Sequence, residues 1–111
     1  MLVSRSSPFG GRTRTLVLLA LGLLEESFPR ELARILGVPL NGVQQALRRL
    51  EVDGLVAGHL AGRTRLYRLN PRYFAPQELS DYLRRLAEPE IELTGRIEAL
   101  RKRPRRAGKP K

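Results

Sequence analysis

The sequence predicts a mainly α domain carrying one small β-hairpin, followed by further helices. Three observations predict it. Segments that open on proline and close at glycine, or that space apolar residues by three and four, recur along the chain and mark helices. Two strand-like runs, "LVAGHL" and "RLYRL", flank the turn sequence "AGRT" and mark a hairpin. The connections between these segments are short, which keeps neighbours in sequence adjacent in space.

The opening, "MLVSRSSPFGGRTR", is rich in serine, glycine and arginine and is expected to be a flexible basic arm over residues 1–11. The first helix should run from about Arg12 to Glu25. Its centre, "LVLLALGLL", is apolar on every side, so the helix has to be covered all round. A second subunit or the C-terminal helix is expected to cover its outer face. In "PRELARIL", Pro29 suits the first position of a helix, where no N–H is needed, and Gly37 ends it. A tight turn, "GVP", leads into the third helix, and two short helices joined in this way form a helix-turn-helix unit.

Gly54 closes the third helix ahead of the hairpin. In the second strand Tyr67 and Leu69 share one side, and Asn70-Pro71 stops the ladder. A fourth helix starts near Pro76, with Leu79, Tyr82, Leu83 and Leu86 on its apolar face. Pro89 interrupts it, and a fifth helix continues from Glu90 with Leu93, Ile97 and Leu100 in a stripe. That stripe is either a dimer helix or a strap on its own domain; the all-round apolarity of the first helix favours the dimer. Pro104 ends the pattern, leaving a basic tail over 104–111 that is expected to be disordered. The expected organisation is therefore an arm (1–11), a core domain (12–74), C-terminal helices (75–103) and a tail.

Across 111 residues the formal net charge is +10, and its distribution says more than its total. Residues 54–77 hold four arginines and no acid, and 101–111 hold seven basic residues and no acid, whereas the stretch 78–100 is acidic. A polyanionic partner fits the middle segment. The absence of cysteine excludes disulfides, thiolate metal sites and thiol nucleophiles, and the lone histidine, His59, cannot build a metal cluster. No metal, no cofactor and no enzymatic activity are expected. Glu25 and Glu26 are adjacent, so as helical residues they do not face one another as a catalytic pair would. The apolar run Leu16–Leu24 is followed by Glu25-Glu26 rather than a small-residue cleavage site and falls short of the ~20 residues of a membrane span, so a cytoplasmic location is expected.

The third helix divides cleanly at about 100° per residue. Val43, Ala46, Leu47 and Leu50 fall on one side, and Asn41, Gln44, Gln45 and Arg48 gather on the other. Amide and guanidinium groups present paired donors and acceptors that match base edges in a major groove wide enough for a helix. Glutamine and arginine are also good helix formers, so simple solvent exposure is the competing reading. Asn41 stands where a helix cap would fall as well as at the edge of the polar face. The hairpin brings Arg63, Arg65 and Arg68, with Thr64, to the tip and flanks of a projection free of acids, which suits contact with phosphates or an adjacent minor groove. An arginine-rich solubilising turn is the alternative there.

With "RELARILGV", "VQQALRRLEVDGLV" and "GRTRLYRLNP" in this order and spacing, the span from about Phe9 to Phe74 resembles the winged helix-turn-helix domain of ArsR/MarR-like transcription regulators. The entry "FGGRTR" is also similar to winged helices attached to nucleotidyltransferases. The resemblance implies a winged helix-turn-helix fold and a homodimer that binds double-stranded DNA in a sequence-specific manner, most simply as a repressor. It places the third helix in the major groove and the hairpin, or wing, on the backbone. Asn41, Gln44, Gln45 and Arg48 are then the expected base readers, Arg49 a flanking phosphate contact, and Arg63, Thr64 and Arg65 the wing contacts. Metal-sensing relatives carry cysteines in the second helix, and "ELARIL" has none. The alternative within the same fold is a module that docks an enzyme or a complex subunit.

Overall fold

The computed structural model describes residues 9–102, so the tail and most of the arm lie outside the described residues. Five helices and a two-stranded hairpin follow in the order α1 (Arg12–Leu24), α2 (Pro29–Leu36), α3 (Leu40–Val52), β1 (Val56–Ala61), β2 (Thr64–Leu69), α4 (Pro76–Ala87) and α5 (Ile91–Lys102).

Helix α1 is the central post. Every residue from Thr15 to Leu21 is buried, and Leu16, Val17, Leu18, Ala20 and Leu21 expose nothing. A helix with no polar face is stable only where each side meets apolar surface, and α2, α3, α4, α5 and β2 supply that surface from the same chain. Of the two expected covers for its outer face, a second subunit or the C-terminal helix, it is the C-terminal helix, with α4, that lies against α1. Leu93 and Ile97 of α5 are likewise buried against their own domain, with Leu100 partly so, which makes the C-terminal stripe a strap. Two arginines fasten this strap. Arg96 donates from Nη1 to the Ile35 carbonyl at 2.6 Å, and Arg101 donates to the Leu23 carbonyl, so each places a cation at the negative end of a helix. On α4, Leu79 and Leu83 are buried as their spacing predicts, while Tyr82 stays partly exposed with its ring 5.7 Å from that of Phe9.

The turns follow local chemistry. Gly37 closes α2 in the left-handed region (φ 67°), its N–H bonded to the Ala33 carbonyl. Helix α3 begins at Leu40 behind Pro39, whose carbonyl accepts the Val43 N–H. Asn41 thus lies inside the first turn and caps nothing. At the other end Gly54 (φ 83°) and Leu55 return their N–H groups to the carbonyls of Glu51 and Leu50, the paired bonds of a Schellman closure.

The hairpin runs antiparallel from Val56↔Leu69 to Ala61↔Thr64 around Gly62-Arg63. Positive φ at Gly62 alone (66°) is the pattern of a type II′ turn, whose twist matches that of the strands. Tyr67 also exchanges both backbone bonds with Ser27, at 3.0 and 2.8 Å, so the segment between α1 and α2 adds a one-residue third strand. No sequence periodicity announces a bridge that short. Asn70 then ties the hairpin base to the end of α3, its N–H to the Leu55 carbonyl and its Nδ2 to that of Gly54.

Open space surrounds the position a Cβ would take at Gly54, so substitution there tests the backbone alone. Gly54→Ala is expected to cost about 1–2 kcal/mol of stability through its left-handed φ. Urea unfolding monitored by circular dichroism measures it; an unchanged midpoint would show that the closure tolerates a side chain.

Candidate nucleic-acid interface

On α3, Val43, Ala46, Leu47 and Leu50 are buried, and Asn41, Gln44, Gln45, Arg48 and Arg49 are exposed. The division predicted from spacing is the one observed. Among the described residues none of those five exposed side chains makes a hydrogen bond or ion pair within the chain. Their donors and acceptors are therefore left to solvent or to a partner.

The arginines sort into two populations. All four on the described parts of α4 and α5 are engaged: Arg84 with Asp81 (3.5 Å), Arg85 with Glu88 (3.9 Å), Arg96 with Glu92 (2.8 Å) and Arg101 with the Leu23 carbonyl. Among the described residues, Arg30 and Arg34 on α2, Arg48 and Arg49 on α3, Arg63 and Arg68 on the hairpin and Arg72 beyond it have no such partner. Uncompensated charge thus collects on the helix-turn-helix and hairpin. The acids near α3's end do not cancel it. Asp53 is paired with Arg14 of α1 at 2.6 Å, and Glu51 with Arg65 at 3.0 Å.

The start of α1 lies alongside α3. Gly11 to Arg14 face Gly42, Gln45, Ala46 and Arg49 across a shallow groove, so the start of α1 flanks the polar face of α3. The sequence does not single out Arg30, Arg34 and Arg72, because it shows how many arginines there are and not which of them lack a partner.

The three hairpin candidates differ from one another. Arg63 occupies the turn and is exposed, and Thr64 opens β2 on the face opposite Arg65. Arg65 folds back toward the domain: Nη2 donates to Glu51 Oε2 at 3.0 Å, Nε donates to the Tyr67 hydroxyl at 3.2 Å, and the guanidinium carbon lies 5.5 Å from the Tyr67 ring centre. His59, on the other face, has Nε2 3.5 Å from a Glu26 carboxylate oxygen. Among the described residues no group of three His, Asp or Glu side chains converges in a way that could hold a metal ion. No helix among them is long and apolar enough to cross a membrane.

No protein-family model matches the chain, and no curated protein matches it in sequence. Solved structures do match in shape. A mutant of ZitR from Lactococcus lactis superposes with a TM-score of 0.61 at 20% identity, over 94% of this chain and 70% of that one. The adhesin competence repressor AdcR from Streptococcus pyogenes superposes with a TM-score of 0.59 at 16% identity, over 78% of this chain and 64% of that one. The present chain thus spans about two-thirds of the length of AdcR. With the helix order, the tight turn between α2 and α3 and the hairpin, this likeness makes the fold a winged helix-turn-helix.

Proposed function

We propose that the chain is a sequence-specific double-stranded DNA-binding transcriptional regulator, with α3 in the major groove and the hairpin on the flanking backbone. One observation carries this reading: a helix face of amide and guanidinium groups with no partner in the chain stands beside further unpaired arginines on α2 and the hairpin, while the carboxylates at the end of α3 are tied by Arg14 and Arg65. Gln44, Gln45 and Arg48 read base edges, with Asn41 at the leading end of the same face. Arg49, Arg63 and Thr64 contact phosphates, which carry affinity rather than sequence information. Repression by occluding polymerase is the simplest action, and the likeness in shape to a protein named as a repressor, AdcR, supports it. A cytoplasmic homodimer on two-fold related half-sites completes the proposal. Its dimer contact lies outside the Leu93–Ile97 stripe and α1, both of which are buried within one chain.

Selection from random duplexes at physiological salt tests the reading. An enriched palindrome supports a dimeric regulator. Absence of enrichment sinks it and favours the docking-module alternative, for which Phe74 (88% exposed) and Ile91 (79% exposed) are among the accessible apolar anchors.

On the selected duplex, Gln45→Ala or Arg48→Ala should relax base preference at one position and cost about 1–3 kcal/mol of binding. Retained affinity and preference in both variants would remove the base-reading assignment. Arg63→Ala should weaken binding to all sequences alike and flatten the salt dependence by about one unit in log–log slope. A sequence-dependent loss would instead place Arg63 against a base.

A further inference from the structure

We infer that Arg65 is a positioning residue, not a phosphate ligand: with Glu51, Tyr67 and Gly58 it forms a latch that sets the angle between the wing and the recognition helix. The inference rests on the DNA-binding reading of that helix and wing.

Several independent features build the latch. Glu51 sits in the last turn of α3, where the helix end is already partly negative, and near a surface proposed to meet a polyanion. Such a placement is unfavourable on both counts unless a cation neutralises it, and Arg65 Nη2 does so at 3.0 Å. The other edge of the guanidinium is fixed by the hydroxyl of Tyr67, a residue only 7% exposed whose backbone N–H and C=O are both bonded to Ser27 and which stands opposite Gly58 in the hairpin register. Beneath it the strand has no side chain. A Cβ at Gly58 would come within 2.9 Å of the Tyr67 ring and 3.0 Å of Arg65 Nε and Nη2, so the guanidinium and ring lie close over bare backbone.

Arg65 therefore joins three elements: the end of α3 through Glu51, the β1 backbone at Gly58, and the anchored ring on β2. A half-exposed ion pair of this kind adds little to global stability. What it restrains is direction. The hairpin is anchored at its base by Asn70 and at Tyr67 by Ser27, while toward its tip it is tied on the opposite face by the His59–Glu26 contact. Loss of the latch frees the distal wing, including Arg63, to swing relative to Gln45 and Arg48.

The two possible roles of Arg65 predict opposite signs. If Arg65 bound phosphate, Glu51 would compete for it and repel DNA, so Glu51→Gln would tighten binding and Arg65→Ala would flatten the salt slope by about one. The latch predicts that Glu51→Gln and Arg65→Ala both weaken binding to the selected duplex, roughly threefold to tenfold, with the salt slope unchanged. Because both break one contact, the double variant should be no weaker than the worse single variant.

A measurement without DNA separates this inference from the reading beneath it. The chain has no cysteine, so Ala61→Cys on the wing and Glu98→Cys on α5, both exposed, accept spin labels cleanly. Pulsed dipolar spectroscopy on the full chain should give a narrow distance distribution that broadens with either Glu51→Gln or Arg65→Ala at unchanged melting temperature. An unchanged distribution in both variants overturns the latch, as does tighter binding by Glu51→Gln. A broadened distribution together with no duplex bound by the unsubstituted chain overturns the DNA reading and, with it, the role assigned to the latch.

Discussion

The structure depends on one constraint: α1 has no polar face. Seven successive residues, Thr15 to Leu21, must all leave water, and burying a leucine or valine side chain is worth about 1.5–3 kcal/mol. No single neighbour can cover a whole cylinder, so α2, α3, α4, α5 and β2 arrange themselves around it. The placement of the candidate interface follows. Helix α3 is pressed to the post by Val43, Ala46, Leu47 and Leu50, and that contact turns Gln44, Gln45 and Arg48 outward. The C-terminal helices close the remaining sides, and α5 is fixed by arginine bonds to helix-end carbonyls of α1 and α2.

Electrostatics then divides the surface between two tasks. In the C-terminal pair each described arginine has a carboxylate or carbonyl within reach, and the charge there serves packing. Around α2, α3 and the hairpin the cations outnumber the acids, and the two acids at the end of α3 are already paired. Unpaired guanidinium groups on a rigid scaffold are ready for a polyanion without first breaking internal bonds, which is the condition for low-cost association. The net charge of +10 does not state this; its pairing pattern does.

Much of the fold was legible because its signals are local. Pro29 and Gly37 bracket α2, Gly54 ends α3, "AGRT" makes the hairpin turn, and Pro89 parts α4 from α5, each through the backbone geometry of one or two residues. The two-sided character of α3 was legible too, since a period of 3.6 maps sequence directly onto a face. The Ser27–Tyr67 bridge was not, because one residue carries no period. The choice between a second subunit and the C-terminal helix as the cover of α1 was not legible, because counting the faces of that helix does not say how closely α4 and α5 approach it. A sequence states how much apolar surface must be covered; it does not name the cover.

Arg65 shows the same division within the site. The sequence by itself determined that three arginines and a threonine share an acid-free hairpin beside a helix rich in amides, because that follows from spacing and turn chemistry. Only the tertiary structure decided that Arg63 stands free while Arg65 turns back onto Glu51 and Tyr67. The hydrogen bonds responsible join residues 14 positions apart, and a contact across that distance is set by how helix and hairpin pack. Identical side chains two residues apart thus acquire different neighbours, since alternation along a strand sends a side chain to one face or the other but only packing decides what waits there.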